Sequence, residues 1–546
     1  MITGLENSSW RFYFLHNDDG YYCFDCFTHK IYSIKKELYT LLQNKKYNLV
    51  KKEYKKFYKQ ILQKQSFVPK EFKDDKCYVT INFSNTCNLK CKYCYRDKEE
   101  KRSLSENSLK EIVEYVKKTF FPSASQYIFS LCYTSESSYD LDKLKYFDYL
   151  IGQYEGYLYS EKEITKRKIL KILEQLPKKI TEAYKENKDP LNIINTILLK
   201  EKLWEIYDYS KHDFLSSLLA KTKKLSASKT VMVNRQILNY IFPKLSSEKP
   251  IQYMSMSFMT NATNITDDYI SFLKSRLETK IYVSLDGPEN IHDMNRIYHD
   301  GTGSYNDVIA GIEKLKKNGI DIIPSAVITP IYTDLNSIVE HFINLGFKTM
   351  TFNLVRGKTE ETCFSLCSIN NLINNIKKIY EEIFIDFKRG IISDKLIILR
   401  NTFLFIYLRN IYYRNYVTAR CKWGKSVVID SKGNLYHCDS TIGFKDDYLG
   451  NYHNKKTKKE LLKQPNINDY SKCKNCYAKY LCGGTCYAEL IFNNKQNELM
   501  ECHFRKELIN ESIKFYIRLK NEKLLDNFMK ILSADIIKKE VFTGSC

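Results

Sequence analysis

Cysteine placement constrains this 546-residue chain more than any other sequence feature. Ten of its 17 cysteines fall into two groups, three between Cys87 and Cys94 and seven between Cys421 and Cys502. The opening stretch, MITGLENSSWRFYFLHNDDG, lacks the basic start and apolar core of a secretory signal, so we expect a cytoplasmic protein. In a reducing compartment, cysteines at such spacings are metal or redox ligands rather than disulfides. The fold must therefore gather thiols at two places.

Composition narrows the classes of partner. The net charge is +22, but the lysines are spread along the chain and no nucleic-acid-binding motif is found, which favours a solvated basic surface without a nucleic-acid partner. No run of about 18 apolar residues occurs, so no membrane span is expected. A chain of this length predicts two to four domains.

Short β-rich runs alternate with amphipathic helical patterns over residues 77–356. This alternation is typical of βα units with a parallel sheet. The predicted strands are CYVTINF, QYIFSL, IQYMSMSFMTN, KIYVSLDGP, IIPSAVIT and TMTFNLV. The helix after the first strand is expected to begin with a capping box formed by Ser108 and Glu111. Six strand signals indicate an α/β fold containing a partial, open (β/α)6 barrel.

The remaining chain divides around this barrel. Residues 1–76 form a small α+β module, read as a strand, an Asp-Gly turn, a second strand and a helix. Residues 139–250 are a helical insertion, because a crossover between parallel strands needs only about a dozen residues. Residues 357–420 are a helical bridge, residues 421–502 a Cys-rich domain, and residues 503–546 a C-terminal helical segment.

The first cysteine group has one ligand too few for a closed metal site. Cys87, Cys91 and Cys94 lie on the loop after the first barrel strand, at the carboxyl edge where barrel enzymes keep their catalytic residues. Structural zinc is four-coordinate, and iron–sulfur clusters are normally held by four thiolates. Three thiols therefore leave one iron open for another ligand.

This spacing, with Tyr93 before the third cysteine, resembles the radical S-adenosylmethionine (radical SAM) enzymes. The resemblance implies that Cys87, Cys91 and Cys94 are catalytic and hold a 4Fe–4S cluster, whose open iron binds SAM. It further implies reductive cleavage of SAM to methionine and a 5′-deoxyadenosyl radical. The segments TNATNITDDYISFLKSR and YVSLDGPENIHDMNRIYHDG continue the resemblance. The implied cofactor-binding residues are Tyr93, Ser135, Glu136, Asn261, Ser284 and Arg296, with Arg296 facing the SAM carboxylate.

Two positions near the predicted SAM site have roles that the sequence does not decide. The family usually has Gly-Gly-Glu-Pro after the second strand, whereas this chain has YTSESS. Glu136 keeps the carboxylate, and Thr134 and Ser135 replace the glycines, so we expect SAM binding with a changed local contact. Asp286, at the end of the fourth strand, fits a turn cap and a substrate contact equally.

The second cysteine group resembles a SPASM domain, which holds two auxiliary 4Fe–4S clusters. By that resemblance, auxiliary cluster II is held by Cys473, Cys476, Cys482 and Cys502, and auxiliary cluster I by Cys421, Cys438 and Cys486. The alternative is a four-thiolate zinc site, which leaves three of the seven cysteines unexplained.

Auxiliary cluster I lacks the further cysteine that fully ligated members carry. The segment before Cys421 is RNYVTAR, without a cysteine. The resemblance then implies an open iron, as in peptide-modifying members proposed to bind a substrate thiolate there. Cys363, Cys367 or Cys546 could instead supply the fourth ligand.

The N-terminal module resembles leader-peptide recognition domains, which bind a peptide as an added strand. The combined resemblance implies a cytoplasmic maturase of ribosomally made, Cys-rich precursor peptides (an oxidoreductase-type enzyme) that forms thioether crosslinks. The implied partners are the precursor peptide and an external electron donor such as flavodoxin or ferredoxin. The alternatives are carbon–carbon crosslinking, sulfatase activation and a zinc-binding scaffold without catalysis.

Overall fold

The structure is a computed structural model. It describes residues 11–17, 19–62, 76–94, 101–120, 126–132, 135–158, 253–275, 279–357, 359–420, 426–454, 456, 461 and 467–533. The predicted helical insertion at 139–250 lies outside these residues beyond residue 158.

The described residues of the N-terminal module form three antiparallel strands and three helices. The strands β1 (Phe12–Asn17), β2 (Gly20–Asp25) and β3 (Lys30–Ile34) are ordered β1-β2-β3. The helices are α1 (Lys36–Gln43), α2 (Tyr47–Glu53) and α3 (Lys55–Leu62). The sequence predicted only two strands, so β3 was missed. Its five residues are half-buried or exposed, which leaves no alternation of apolar and polar side chains to detect.

The module packs on the rest of the protein through one sheet face. Leu15 and Phe24 of that face belong to the main hydrophobic core, whereas Phe12 and Cys23 of the other face pack in a separate cluster with α1 and α2. The Tyr13 ring stacks on Tyr477 of the Cys-rich region at 4.3 Å. The module is therefore held beside the C-terminal cysteines.

Six parallel strands in the described chain form the centre of the structure. They are β4 (Lys76–Ile81), β5 (Gln126–Leu131), β6 (Tyr253–Thr260), β7 (Thr279–Ser284), β8 (Ile322–Ile328) and β9 (Thr351–Leu354). Each pairs in parallel with the next along the chain. The predicted α/β fold with a six-strand parallel sheet is confirmed. Its carboxyl edge gathers the loops that follow all six strands.

The helices between the strands cover the sheet. They are α4 (Glu106–Phe120), α5 (Leu141–Leu158), α6 (Asp267–Ser275), α7 (Glu289–Asn295), α8 (Tyr305–Lys317) and α9 (Leu335–Asn344). The predicted capping box of α4 is wrong, because the helix begins earlier. Ser105 Oγ accepts the Ser108 N–H at 3.1 Å, and Glu111 accepts from Tyr452 OH at 2.8 Å.

The Cys-rich region extends the same sheet. Strand β10 (Ser426–Ile429) pairs in parallel with β4, and β11 (Asn434–Tyr436) and β12 (Gly450–Asn451) follow in antiparallel order. The hairpin between β10 and β11 turns at Gly433, whose φ is +77°, a conformation that favours glycine. The sheet therefore has nine strands in the described chain. The strands of the Cys-rich region lie beside β4, the first strand of the barrel.

The C-terminal half is mostly helical. Its helices are α10 (Leu366–Lys388), α11 (Asp394–Leu399), α12 (Ile406–Tyr413), α13 (Ser471–Lys474), α14 (Lys479–Cys482), α15 (Tyr487–Phe492), α16 (Lys495–Asn521) and α17 (Leu525–Ser533). Helix α16 runs through the boundary predicted at residues 502 and 503. No helix among the described residues is long and apolar enough to cross a membrane.

Candidate active site

The loop that carries the first three cysteines follows β4 and is held in place by backbone hydrogen bonds. Lys90 N donates to Ile297 O at 2.7 Å, and Lys92 N donates to Asn295 O at 2.9 Å. Cys94 N donates to Cys91 O at 3.1 Å, which closes a turn between the second and third cysteines. The C-terminal end of α7 and the residues that follow it therefore fix the path of the loop.

A buried carboxylate also anchors this loop. Asp286 is fully buried and accepts from Tyr93 OH at 2.6 Å and from Val327 N at 2.9 Å. Arg296 Nη2 donates to the same carboxylate at 3.1 Å, and the Arg296 guanidinium lies 5.3 Å from the Tyr93 ring centre. Asp286 is therefore a link between the cysteine loop, α7 and β8, rather than only a cap at the end of β7.

The electrostatics of the loop suit a metal-bound thiolate. Burial raises the pKa of the Cys91 thiol to about 12; the Arg296 guanidinium opposes this shift, while Cys94 and Cys87 add to it. The three thiols are thus close enough to act on one another. A thiol with such a pKa stays protonated at neutral pH unless a metal displaces the proton. The donor set therefore fits an iron–sulfur cluster.

Asn261 approaches this loop from the end of β6. Its Nδ2 lies 3.7 Å from Cys87 Sγ and donates to Asn88 Oδ1 at 2.8 Å. Thr263 Oγ1 donates to Asn261 Oδ1 at 2.8 Å, which fixes the orientation of the amide. The structure thus brings Asn261 to the first cysteine, as expected for a residue at the SAM site.

The segment that replaces Gly-Gly-Glu-Pro is held by its own side chains. The buried Glu136 carboxylate accepts from Thr260 Oγ1 at 2.5 Å and from Asn261 N at 2.6 Å. Burial raises the pKa of Glu136, and these hydrogen bonds oppose the rise. Ser135 Oγ donates to the buried Asp140 at 2.7 Å. Both side chains therefore fix the loop to its surroundings, and Thr134 lies outside the described residues.

The other predicted contacts occupy the same edge of the sheet. Ser284 ends β7 opposite Ser325 of β8, with 7% of its surface exposed. Arg296 Nε lies 3.1 Å from Asp286 Oδ2, so the two side chains form a buried ion pair. The assignment of SAM contacts to Ser284, Arg296 and the other named residues stays a prediction.

Comparison with known proteins adds a sequence relationship and a fold. No protein-family profile matches the chain. It is 26% identical over 275 residues to a cysteine-type anaerobic sulfatase-maturating enzyme of Clostridium novyi, covering 47% of this chain and 71% of that enzyme. It is also 27% identical over 238 residues to an uncharacterized protein of Methanocaldococcus jannaschii, covering 42% of this chain and 68% of the relative.

Solved structures of anSMEcpe, an anaerobic sulfatase-maturating enzyme, resemble this chain over most of its length. With bound AdoMet (SAM), anSMEcpe gives a TM-score of 0.52 at 18% identity, over 84% of this chain and 98% of that one. With AdoMet and the Cp18Cys peptide, it gives 0.51 at 19% identity, over 82% and 99%. The chain has the fold of a radical SAM enzyme. The predicted fold is therefore confirmed, and the Clostridium novyi relative is an enzyme.

Within this radical SAM fold, four C-terminal thiols lie together. Burial raises the pKa of Cys473 to about 11, and Cys476 and Cys502 raise it further. Burial raises the pKa of Cys482 to about 12; the nearby Arg420 guanidinium opposes the rise, and Cys476 and Cys502 add to it. These are the four predicted ligands of auxiliary cluster II, and their proximity fits that group.

Two of the three predicted ligands of auxiliary cluster I also lie together. Burial raises the pKa of Cys438, with Cys486 adding to the rise and the Arg356 guanidinium opposing it. Arg356 follows β9, so it reaches the Cys-rich region from the barrel. Cys421 lies outside the described residues. The two auxiliary clusters stay predictions.

The cysteines considered as a fourth ligand of cluster I have other surroundings. Cys363 Sγ accepts from Asn494 Nδ2 at 2.9 Å and lies 3.2 Å from Thr359 O. Cys367 is exposed on α10, and Cys546 lies outside the described residues. The described residues hold no group of three or more His, Cys, Asp or Glu side chains gathered around a single-ion site. A four-iron cluster is larger than one ion, so its ligands are expected to stand further apart.

Sequence reasoning missed three charged residues near these thiols, Arg356, Arg420 and Glu501. Arg356 follows the sixth barrel strand directly, at the carboxyl edge, and this position was its only signal. Glu501 precedes Cys502 and is 8% exposed. A buried carboxylate beside a predicted cluster ligand can be recognised only when its partners are known.

Proposed function

We propose that this radical SAM enzyme is a maturase that modifies a peptide or protein substrate. The observation that carries the proposal is the cysteine loop after β4, where Cys91 lies near both Cys87 and Cys94, in a fold shared with AdoMet-binding maturating enzymes. When bound, a 4Fe–4S cluster with SAM supplies the 5′-deoxyadenosyl radical that removes a hydrogen atom from a substrate carbon. Cys87, Cys91 and Cys94 would hold that cluster.

The surrounding side chains would position SAM. Asp286 holds Arg296 and Tyr93 at the cysteine loop, and Arg296 would meet the SAM carboxylate there. Asn261 donates toward Cys87 and supports the loop that carries it. Glu136 ties the loop after β5 to the end of β6, which keeps the opening at the carboxyl edge in a fixed shape.

The N-terminal module supports a peptide substrate. Its strand β3 pairs only with β2 among the described residues, so its outer edge offers backbone N–H and C=O groups to an added strand. The Tyr32 ring of β3 meets Phe57 of α3 edge-on at 6.5 Å, which forms an apolar wall beside that edge. We propose that a leader segment of the substrate binds there.

For the product, we propose thioether crosslinks in a Cys-rich precursor peptide. Cys421, Cys438 and Cys486 would leave one position of auxiliary cluster I for a substrate thiolate, because no cysteine occurs in the segment RNYVTAR. A thiol held close to a carbon that has lost a hydrogen atom favours formation of a carbon–sulfur bond. An external donor such as flavodoxin or ferredoxin would supply the electron that cleaves SAM. The surplus electron from carbon–sulfur bond formation would leave through the auxiliary clusters.

Sulfatase maturation is the second candidate and has comparable support. It rests on the 26% identity to a cysteine-type sulfatase-maturating enzyme and on the fold of anSMEcpe, whose structure holds the Cp18Cys peptide. Such an enzyme would oxidise one Cys or Ser of a protein substrate and form no crosslink. Carbon–carbon crosslinking is a third product that the same site would allow.

The first experiment tests the radical chemistry. Anaerobically reconstituted and reduced protein is incubated with SAM, and 5′-deoxyadenosine is measured by chromatography. Cys91→Ala should abolish 5′-deoxyadenosine formation, whereas Cys367→Ala, an exposed cysteine outside both groups, should not change it. Wild-type protein that binds zinc but no iron, and leaves SAM intact, would support the scaffold alternative instead.

The second experiment separates the products. The enzyme is co-expressed with Cys-rich peptides encoded beside it, and the peptides are alkylated at free thiols before mass spectrometry. A thioether removes two hydrogens and one alkylation site, a carbon–carbon crosslink removes two hydrogens and leaves the thiols alkylated, and an oxidised Cys or Ser reacts with a hydrazide. Unmodified peptide produced by an enzyme with full iron content would count against thioether formation.

A further inference from the structure

Glu501 lies near the cysteines that are assigned to the two auxiliary clusters. It precedes Cys502 on α16, but it belongs to the buried face that also carries Asn497, Phe504 and Leu508. Cys502, one residue later, is exposed. The helix thus presents a thiol on one side and a buried carboxylate on the other.

The Glu501 carboxylate contacts two arginines and the backbone of one predicted ligand of auxiliary cluster I. Its Oε1 accepts from Arg420 Nη1 at 2.5 Å and from Arg505 Nη2 at 3.2 Å. Its Oε2 accepts the backbone N–H of Cys486 at 3.3 Å. Arg420 immediately precedes Cys421 in the sequence, and Glu501 immediately precedes Cys502, so the ion-paired residues are sequence neighbours of predicted ligands of both auxiliary clusters.

The three charges do not balance. Two guanidinium groups share one carboxylate, so these three side chains carry one excess positive charge in a mostly buried position, where they are 9–18% exposed. A buried group of this kind stabilises a fold no better than well-packed apolar residues do. Arg420 also acts on the Cys482 thiol from the other side. Arg420 therefore lies near a predicted ligand of each auxiliary cluster, Cys486 and Cys482.

We propose that the Arg420–Glu501–Arg505 group sets the reduction potentials of the two auxiliary clusters. The inference rests on the cluster ligands assigned in the proposed function. A reduced cluster carries one more negative charge than the oxidised cluster, so a neighbouring cation stabilises the reduced form and raises the potential. Glu501 limits this effect by holding and partly neutralising the two arginines. These residues are positioning residues and contact no substrate.

The test is a redox titration followed by electron paramagnetic resonance on reconstituted full-length protein. Arg420→Gln removes a cation and should shift the auxiliary potentials downward. Glu501→Gln removes the anion at nearly constant shape and should shift them upward. Arg518→Gln is the matched control, because Arg518 lies on the same helix and pairs with Glu381 at an exposed position; it should leave both potentials unchanged.

The opposite signs separate an electrostatic role from a structural one. Shifts in the same direction, unchanged potentials, or loss of auxiliary iron in both variants would overturn the inference. Wild-type protein that binds iron only at the first cysteine group would overturn it together with the auxiliary-cluster part of the proposed function. Two auxiliary signals in wild-type protein, shifted oppositely by the two substitutions, would establish it.

Discussion

Replacing Asp286 by Asn tests whether one buried carboxylate holds the cysteine loop in place. The substitution preserves the size of the side chain and one carbonyl oxygen, which can still accept from Tyr93 or from Val327 N. It removes the negative charge that faces Arg296, which is 8% exposed. The guanidinium is then left buried without its counter-ion.

The expected loss of stability in Asp286→Asn follows from the burial of Arg296. Breaking a buried ion pair from one side costs about 3–5 kcal/mol, because the remaining charge is uncompensated. If this cost falls on the loop, its local opening becomes roughly 100-fold more frequent or more, since about 1.4 kcal/mol corresponds to a factor of ten. The amides of Lys90 and Lys92 report the opening directly, because both donate to the segment that precedes and follows Arg296.

Native-state hydrogen exchange of the 87–94 segment is the assay. Asp286→Asn should accelerate exchange of the Lys90 and Lys92 amides by that factor, within the limit set by their wild-type protection. Asp268→Asn is the matched control, because Asp268 pairs with Lys145 at 2.6 Å but both side chains are exposed. Its effect should stay below about 1 kcal/mol. Exchange within threefold of wild type in Asp286→Asn would refute the anchoring role.

Three further predictions concern stability and SAM binding. Burial lowers the pKa of His29 and of His292 to about 4, so the folded protein keeps both side chains neutral, while the unfolded chain protonates them near pH 6.5. The free energy of unfolding should therefore be full above pH 6.5 and fall by roughly 2 kcal/mol per residue at pH 5. Denaturant midpoints at pH 7 and pH 5 would measure this fall, and replacing both histidines by Gln should remove the pH dependence. Gly311→Ala should lower the free energy of unfolding by about 1–3 kcal/mol and weaken SAM binding, because the added methyl group would lie 1.9 Å from Ala262 O, next to Asn261. An unchanged thermal midpoint would contradict this. The Glu136 carboxylate accepts four hydrogen bonds, and Glu136→Gln replaces it by an amide. SAM affinity measured by calorimetry should therefore fall about tenfold, equivalent to roughly 1.4 kcal/mol. An unchanged affinity would show that the loop does not depend on the carboxylate.

The strands and the first cysteine loop could be read from the sequence because their signals are local. Each barrel strand is a short apolar run, and Cys87, Cys91 and Cys94 lie within eight residues of one another. The three-stranded sheet of the N-terminal module was read only in part, since β3 is short and shows no burial pattern. The start of α4 was misplaced because Ser105 and Ser108 are both suitable capping residues, and only the helix geometry distinguishes them.

The sequence by itself determined the order of the parallel strands and the two sets of thiols that the fold has to gather. The tertiary structure decided what surrounds those thiols. Tyr93 and Asp286 are 193 residues apart, and β10 pairs with β4 across more than 300 residues, so no local pattern links them. The charges of Arg356, Arg420 and Glu501 look like surface charges in the sequence, and only packing places them beside cysteines. Burial turns an ordinary charge into a strong influence on its neighbours, because little water remains to screen it, and burial is a property of the folded chain alone.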